Sequence, residues 1–139
     1  MRTGVDANIF SIIWLGGEHS ARAERMLSKC SSEGSLAISP IVYAEMLANP
    51  MLGGGQAAIF LEKSGIVTDY TVDPRVWSEA GLRFGAYARR KRISGGGEAR
   101  RLLADFVVGA HALVQTERLL TFDTRRYQTD FPELRLVGV

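Results

Sequence analysis

The chain of 139 residues is predicted to be an α/β protein, a sandwich of helices on a mostly parallel sheet. Three observations predict it. Short apolar runs of strand length alternate with longer segments of helical periodicity from one end to the other. Two of those helices open on the same signal, a capping side chain followed by proline, at Ser39-Pro40 and Asp73-Pro74. Composition is that of an ordinary folded domain, 46% hydrophobic and 23% charged, and the length fits a single domain over residues 1–139.

Taken in order, a short strand ends at Val5, directly before Asp6, and Asn8 to Leu15 is the first helix, stopped by Gly16-Gly17. His19 to Ser32 is amphipathic, with Ala23, Met26, Leu27 and Cys30 on one side. After the turn Glu33-Gly34-Ser35, Leu36-Ala37-Ile38 is a buried strand, and the helix opened by Ser39-Pro40 stops at Asn49-Pro50. Gly53-Gly54-Gly55 is a loop, Gln56 to Lys63 a helix ended by Gly65, and Ile66 to Val72 contains an extended segment. A long helix then runs from Pro74 to about Arg92 with Val76, Trp77, Ala80, Phe84, Tyr87 and Ala88 on its apolar face. Arg100 to Gln115 is the next helix, with Leu102, Leu103, Phe106, Ala110, Leu113 and Val114 on its buried stripe. Arg118 to Phe122 and Leu134 to Val139 are the closing strands, separated by a turn at Asp130-Phe131-Pro132-Glu133.

Charge and composition exclude several classes. No apolar run approaches the ~20 residues of a membrane span, and the opening Met1-Arg2-Thr3-Gly4-Val5-Asp6 lacks the pattern of a secretory signal. A cytoplasmic location is expected. The single cysteine, Cys30, cannot form an internal disulfide and is read as structural. Net charge is +2, too mild to announce nucleic-acid binding, but setting four candidate site acids aside leaves 11 acidic residues against 17 basic ones. A compact acidic site in a basic surface suits an enzyme that holds a divalent cation and binds a polyanion.

Those four acids are Asp6, Glu45, Asp105 and Asp123. In open α/β sheets ligands bind beyond the carboxyl ends of the strands. Asp6 and Asp123 each follow a strand directly, Glu45 lies on the helix leaving the second strand, and Asp105 lies at the flank of its helix, about 130° from the centre of the apolar stripe. Strand alternation puts Thr121 and Asp123 on one face and Leu120 with Phe122 on the other. Carboxylates ~4 Å apart repel by about 4 kcal/mol at an effective dielectric near 20, so such a cluster needs a cation. Hard Mg²⁺ or Mn²⁺ prefers oxygen ligands, and the chemistry then expected is metal-assisted phosphodiester hydrolysis. Singly, Asp6 could only cap the first helix and Asp105 could be a solvated helix acid.

Four stretches carry a family resemblance. Val5-Asp6-Ala7-Asn8-Ile9, Ser39-Pro40-Ile41-Val42-Tyr43-Ala44-Glu45, Ala104-Asp105-Phe106-Val107-Val108-Gly109-Ala110-His111-Ala112 and Leu119-Leu120-Thr121-Phe122-Asp123 occur in this order, the last followed by Phe131-Pro132 and Leu134-Arg135-Leu136-Val137. They resemble the motifs of PIN-domain ribonucleases, and the third and fourth resemble the VapC-like toxins of VapBC toxin–antitoxin pairs. The resemblance implies a three-layer α/β/α sandwich and an endoribonuclease. Asp6, Glu45, Asp105 and Asp123 would be the catalytic acids and the ligands of Mg²⁺ or Mn²⁺, with Asn8 and Thr121 orienting ligands or water behind them. It also implies a homodimer, a VapB-like antitoxin that blocks the site, and a transfer or ribosomal RNA substrate. Two positions depart from the pattern. Phe122 stands where many relatives carry arginine, which bears on how RNA is held, and Leu103 stands where close relatives often have proline.

Arg125 and Arg126, just past Asp123, are candidate RNA contacts. Arg89-Arg90-Lys91-Arg92 and Arg100-Arg101 could grip phosphates or an acidic antitoxin segment, or be solvated cations that suit a helix end. His111 is read as a hydrogen-bonding residue instead of a general base, His19 as exposed, and Asp73 as a helix cap. Trp77, Phe84 and Tyr87 are read as core or dimer packing. Neither glycine triplet is a P-loop, since no Gly-Lys-Ser/Thr follows. A haloacid-dehalogenase-like phosphatase would want a second aspartate two residues after Asp6, where Asn8 stands. An RNA maturation nuclease of the same fold and a catalytically inactive RNA- or protein-binding PIN module are the remaining alternatives.

Overall fold

In the computed structural model, which describes residues 1–53, 55–93 and 102–139, five strands form one sheet. They are β1 (Arg2–Val5), β2 (Ser35–Ile38), β3 (Ile66–Thr68), β4 (Arg118–Thr121) and β5 (Leu136–Gly138). Their order is β3-β2-β1-β4-β5, and every pairing is parallel. The helices are α1 (Ala7–Leu15), α2 (Glu18–Glu33), α3 (Pro40–Ala48), α4 (Gln56–Ser64), α5 (Pro74–Ile93), α6 (Leu103–Gln115) and α7 (Thr124–Gln128), with a 3₁₀ turn at Pro50–Leu52. None of them is long and apolar enough to cross a membrane.

The chain steps outward from β1 to β3, then returns to lay β4 on the other side of β1. Right-handed crossovers therefore put the helices before and after β3 on opposite faces. Side chains agree. On one face Arg118 bonds Thr3 at 2.8 Å and pairs with Glu33 of α2 at 2.7 Å, and the Phe122 ring meets His19 of α2. On the other, Gly4 lies against Ala112 of α6 and Thr116, which caps that helix. The result is the three-layer sandwich expected. Because both faces are covered, β1, β2 and β4 are buried almost throughout, their polar Thr3, Arg118 and Thr121 included.

Capping signals legible in the sequence form as expected. Ser39 Oγ accepts the Val42 N–H with Pro40 in the first turn of α3. Gly65, at φ 66°, ends α4 in the left-handed conformation glycine allows. Asp73 accepts the Arg75 N–H at 2.8 Å, as a cap does. Cys30 is buried at the end of α2.

Other expectations need correction. α6 begins at Leu103, Leu102 before it being extended instead of helical, and Leu102 and Leu103 stand 70% and 49% exposed instead of lining the buried stripe. Tertiary packing begins only at Phe106, where the helix meets the sheet. Leu103 is the first helical residue, a position where proline would also be accommodated, so this departure is structurally mild. Trp77 is 53% exposed; α5 buries Val76, Ala80 and Tyr87, and Trp77 falls at the flank of that stripe, about 80° from its centre. The closing strands are shorter than expected, and residues 124–128 are a helix, α7. Gly54, the triplet Gly95-Gly96-Gly97 and Arg100-Arg101 lie outside the described residues.

The core between α5, α6 and the C-terminal segment is aromatic. Phe84, Tyr87 and Phe131 surround Phe106 with ring centroids 5.2, 5.6 and 6.0 Å away. Phe131 reaches the sheet side only because Gly109 carries no side chain; a Cβ there would stand 2.5 Å from the ring. Gly109→Ala is therefore expected to destabilise despite the ~1 kcal/mol gain in helix propensity, because overpacking costs about 1–3 kcal/mol. Adding Phe131→Leu should recover part of the loss in urea unfolding, and equal losses in the single and double variants would contradict this contact.

Candidate active site

β1 and β4 are neighbours whose connections leave in opposite directions, so their carboxyl ends bound a crevice. Asp6 stands at its centre. It caps α1, Oδ1 accepting the Ala7 N–H at 2.8 Å. Its Oδ2 accepts two hydroxyls, Thr121 Oγ1 and Tyr127 Oη, both at 2.8 Å. The residue is 5% exposed, and burial pushes its carboxyl pKa up against the pull of these hydrogen bonds and of Arg126. Asp6 is thus both a helix cap and an acid held in one orientation, which the two readings of the sequence had set against each other.

Asn8 and Thr121 lock the strand ends together. Thr121 Oγ1 accepts from Asn8 Nδ2 at 3.3 Å and from the Asp123 N–H at 3.0 Å. Asn8 Oδ1 accepts the Phe122 N–H at 3.2 Å. Both side chains stand directly behind the acids, and neither is spare.

Asp105 is the third residue of α6, and its Oδ2 accepts the Leu102 N–H at 3.2 Å, a favourable place for a negative charge. Asp123 caps α7, accepting the Arg126 N–H at 3.1 Å. The Arg126 side chain bridges the two carboxylates, Nη1 donating to Asp105 Oδ1 at 3.2 Å and Nε lying 3.4 Å from Asp123 Oδ2. Burial opposes the guanidinium charge, and Asp105, Asp123 and Asp6 outweigh it. Glu45 stands on the solvent side of α3. Crowding by neighbouring atoms raises its pKa, and the nearby charges of Asp6 and Asp105 raise it further. Glu45 is therefore within reach of the Asp6 and Asp105 charges, and Arg126 ties Asp123 to Asp105.

Among the described residues no three acidic, histidine or cysteine side chains stand close enough to be a ready-made metal cage. The donor chemistry nevertheless fits a hard divalent ion. All four groups are carboxylates, two are held above their ordinary pKa, chiefly by burial, and a cation, Arg126, already bridges the other two. Arg125 is exposed.

Tyr127 was not singled out in the sequence. It is fully buried, and burial beside the Asp6 charge pushes its phenol pKa far up, so it remains a proton donor to Asp6. The available signal was the Asp123-to-Arg126 cap spacing, which implies a helical turn placing Tyr127 inward. His111 is 2% exposed and its Nε2 bonds Asp69 Oδ2 at 2.8 Å, as a hydrogen-bonding role requires. Arg2 grips both oxygens of Asp69 at 2.6 Å. Burial would raise the Asp69 pKa, and the bonds from Arg2 and His111 hold it lower. Burial lowers that of His111.

No curated protein is significantly similar to the chain in sequence. Solved structures are. A chain of VapBC-1 from nontypeable Haemophilus influenzae superposes with TM-score 0.67 at 19% identity, covering 99% of this chain and 98% of that one. FitAcB from Neisseria gonorrhoeae gives 0.64 at 20%, covering 98% and 96%. VapBC2 from Rickettsia felis, bound to a DNA fragment from its promoter, gives 0.62 at 18%, covering 99% and 98%. The sequence profile of the PIN domain matches residues 5–132. With that match across nearly the whole sandwich and its acidic crevice, the chain belongs to the PIN domain family.

Proposed function

We propose that this chain is a metal-dependent endoribonuclease, the toxin of a toxin–antitoxin pair, acting in the cytoplasm as one PIN domain over residues 1–139. The observation that supports it most is Arg126 bridging Asp105 and Asp123 beside the buried Asp6, with Glu45 in range of the Asp6 and Asp105 charges. The four carboxylates would hold Mg²⁺ or Mn²⁺. Such an ion, when bound, supplies activation of a water nucleophile and stabilisation of charge on phosphate. Thr121, Tyr127 and Asn8 keep the Asp6 carboxylate in one orientation. Glu45, the exposed one of the four, would orient the attacking water, whose proton passes to solvent. The new P–O bond to that water forms as the bond from phosphorus to the leaving ribose oxygen breaks, and that oxygen takes up a proton from solvent. Arg125 and Arg126 face the RNA backbone.

The structural relatives are components of VapBC and FitAB assemblies, which supports a VapB-like antitoxin as partner; a homodimer is part of the same reading. The test is incubation of antitoxin-free protein with transfer and ribosomal RNA and Mg²⁺ or Mn²⁺. Discrete fragments that vanish with EDTA are expected. Binding of RNA without cleavage under any metal would favour the inactive binding module.

Arg126 gives this reading a second handle. If its guanidinium fills in for a missing cation, Arg126→Gln is expected to bind Mn²⁺ about tenfold more tightly, seen as a larger rise in melting temperature at fixed Mn²⁺, while the metal-free variant melts lower than wild type. An unchanged or smaller Mn²⁺ shift would refute the competition.

A further inference from the structure

The acceptor positions of the Asp6 carboxylate are nearly all occupied. A carboxylate offers about four lone pairs, two on each oxygen. On Oδ1 the Ala7 N–H fills one at 2.8 Å. On Oδ2 the hydroxyls of Thr121 and Tyr127 fill both, each at 2.8 Å. The Thr121 proton is committed to Asp6, because Asn8 Nδ2 and the Asp123 N–H already donate to its oxygen at 3.3 and 3.0 Å. Tyr127 is equally fixed. Its side chain is fully buried and its ring packs on Phe131 with centroids 6.3 Å apart, so the phenol cannot swing aside. Asp6 itself cannot turn without giving up three hydrogen bonds.

Resting on the nuclease reading above, we infer that Tyr127, together with Thr121, sets which ion the site accepts: the two hydroxyls reserve Oδ2, so Asp6 can offer a cation Oδ1 alone. That suits Mg²⁺ and disfavours Ca²⁺. Mg²⁺ is small, demands an octahedron and keeps several of its waters, so one oxygen from a carboxylate suffices. Ca²⁺ gathers more oxygens and readily takes both from one carboxylate. Asp105 and Asp123 do not make up the difference, since each has one oxygen on a backbone N–H and the other on the Arg126 guanidinium. Tyr127 is thus a positioning residue. It acts through Asp6, and what it controls is the number of oxygens Asp6 can give.

The test is calorimetric titration of the full chain with Mg²⁺ and with Ca²⁺, without RNA, comparing the two dissociation constants. Tyr127→Phe removes one hydroxyl from Oδ2 and keeps the ring. It is expected to move the preference at least about fivefold toward Ca²⁺. Thr121→Val removes the other hydroxyl and is expected to move it in the same direction, so the result does not hang on one variant folding. Val76→Ala, a truncation on the buried face of α5, lowers stability without touching Asp6 and should leave the preference within about twofold of wild type. An unmoved preference in Tyr127→Phe and Thr121→Val would overturn the inference, and so would an equal move in Val76→Ala. Mg²⁺ binding that disappears in Asp6→Asn, beside a preference that neither hydroxyl changes, would sink the selectivity and leave the nuclease reading standing. A moved preference in a protein that cleaves no RNA with any ion would do the reverse.

Discussion

Asp6→Asn and Asp105→Asn are each expected to cleave RNA at least about a hundredfold more slowly than wild type, and about a thousandfold if the ion is lost outright. A catalytic ion is worth several kcal/mol of transition-state stabilisation, and each 1.36 kcal/mol is tenfold in rate. Both amides keep the side-chain shape, so the loss should come without unfolding. For Asp6 the opposite effect on stability is expected at neutral pH without metal, a melting temperature at least that of wild type, since burial of the charge is the largest influence on this carboxyl. The sign follows from the raised pKa. Between the ordinary carboxylate value and the raised one, the folded state binds more protons than the unfolded. Metal-free stability therefore grows as pH falls from neutral into that window, and is lost as pH rises through the folded value. Glu45, also raised, acts in the same direction. Asp6→Asn should flatten the slope of urea midpoint against pH. Cleavage that survives both substitutions, or a slope unchanged by Asp6→Asn, would remove the acidic crevice from the mechanism.

Asp69→Ala is expected to cost about 3 kcal/mol in urea unfolding, the low end of the range for breaking a buried pair from one side, because Arg2 is itself a third exposed. The Asp69 side chain is 11% exposed, and its loss leaves the Arg2 guanidinium and His111 facing each other without an anion. His111→Gln should be milder, about 1 kcal/mol, and should cleave RNA within about threefold of wild type. That pairing of outcomes decides what His111 does. A histidine acting as general base would lose rate at least a hundredfold on substitution; one that only ties α6 to β1 through Asp69 loses stability alone.

How far the site was legible depends on which contacts are local. Asp6 after β1, Ser39 before Pro40, and Gly65 after α4 announce themselves, because a cap and the helix it serves are adjacent in sequence. The sheet was legible as parallel because β-strands alternate with helical segments, and its short members were overextended because strand ends depend on neighbours. Tyr127 escaped notice because α7 has only five residues, too few for a periodicity. Trp77 and Leu103 were assigned to buried stripes because hydropathy counts apolar residues without knowing which side of a helix meets the sheet.

Sequence by itself determined the α/β class, the helix starts, the acids at strand ends and the membership suggested by four ordered motifs. All of these rest on periodicity, capping or identity within short windows. Only the tertiary structure decided that Asp6 is bonded by Thr121 and Tyr127, 115 and 121 residues away, and that Arg126 bridges Asp105 and Asp123. The physical reason is that charge and hydrogen-bond compensation are settled between elements brought together from distant parts of the chain. A carboxylate's partner, and hence its pKa and its use, cannot be read from its neighbours in sequence.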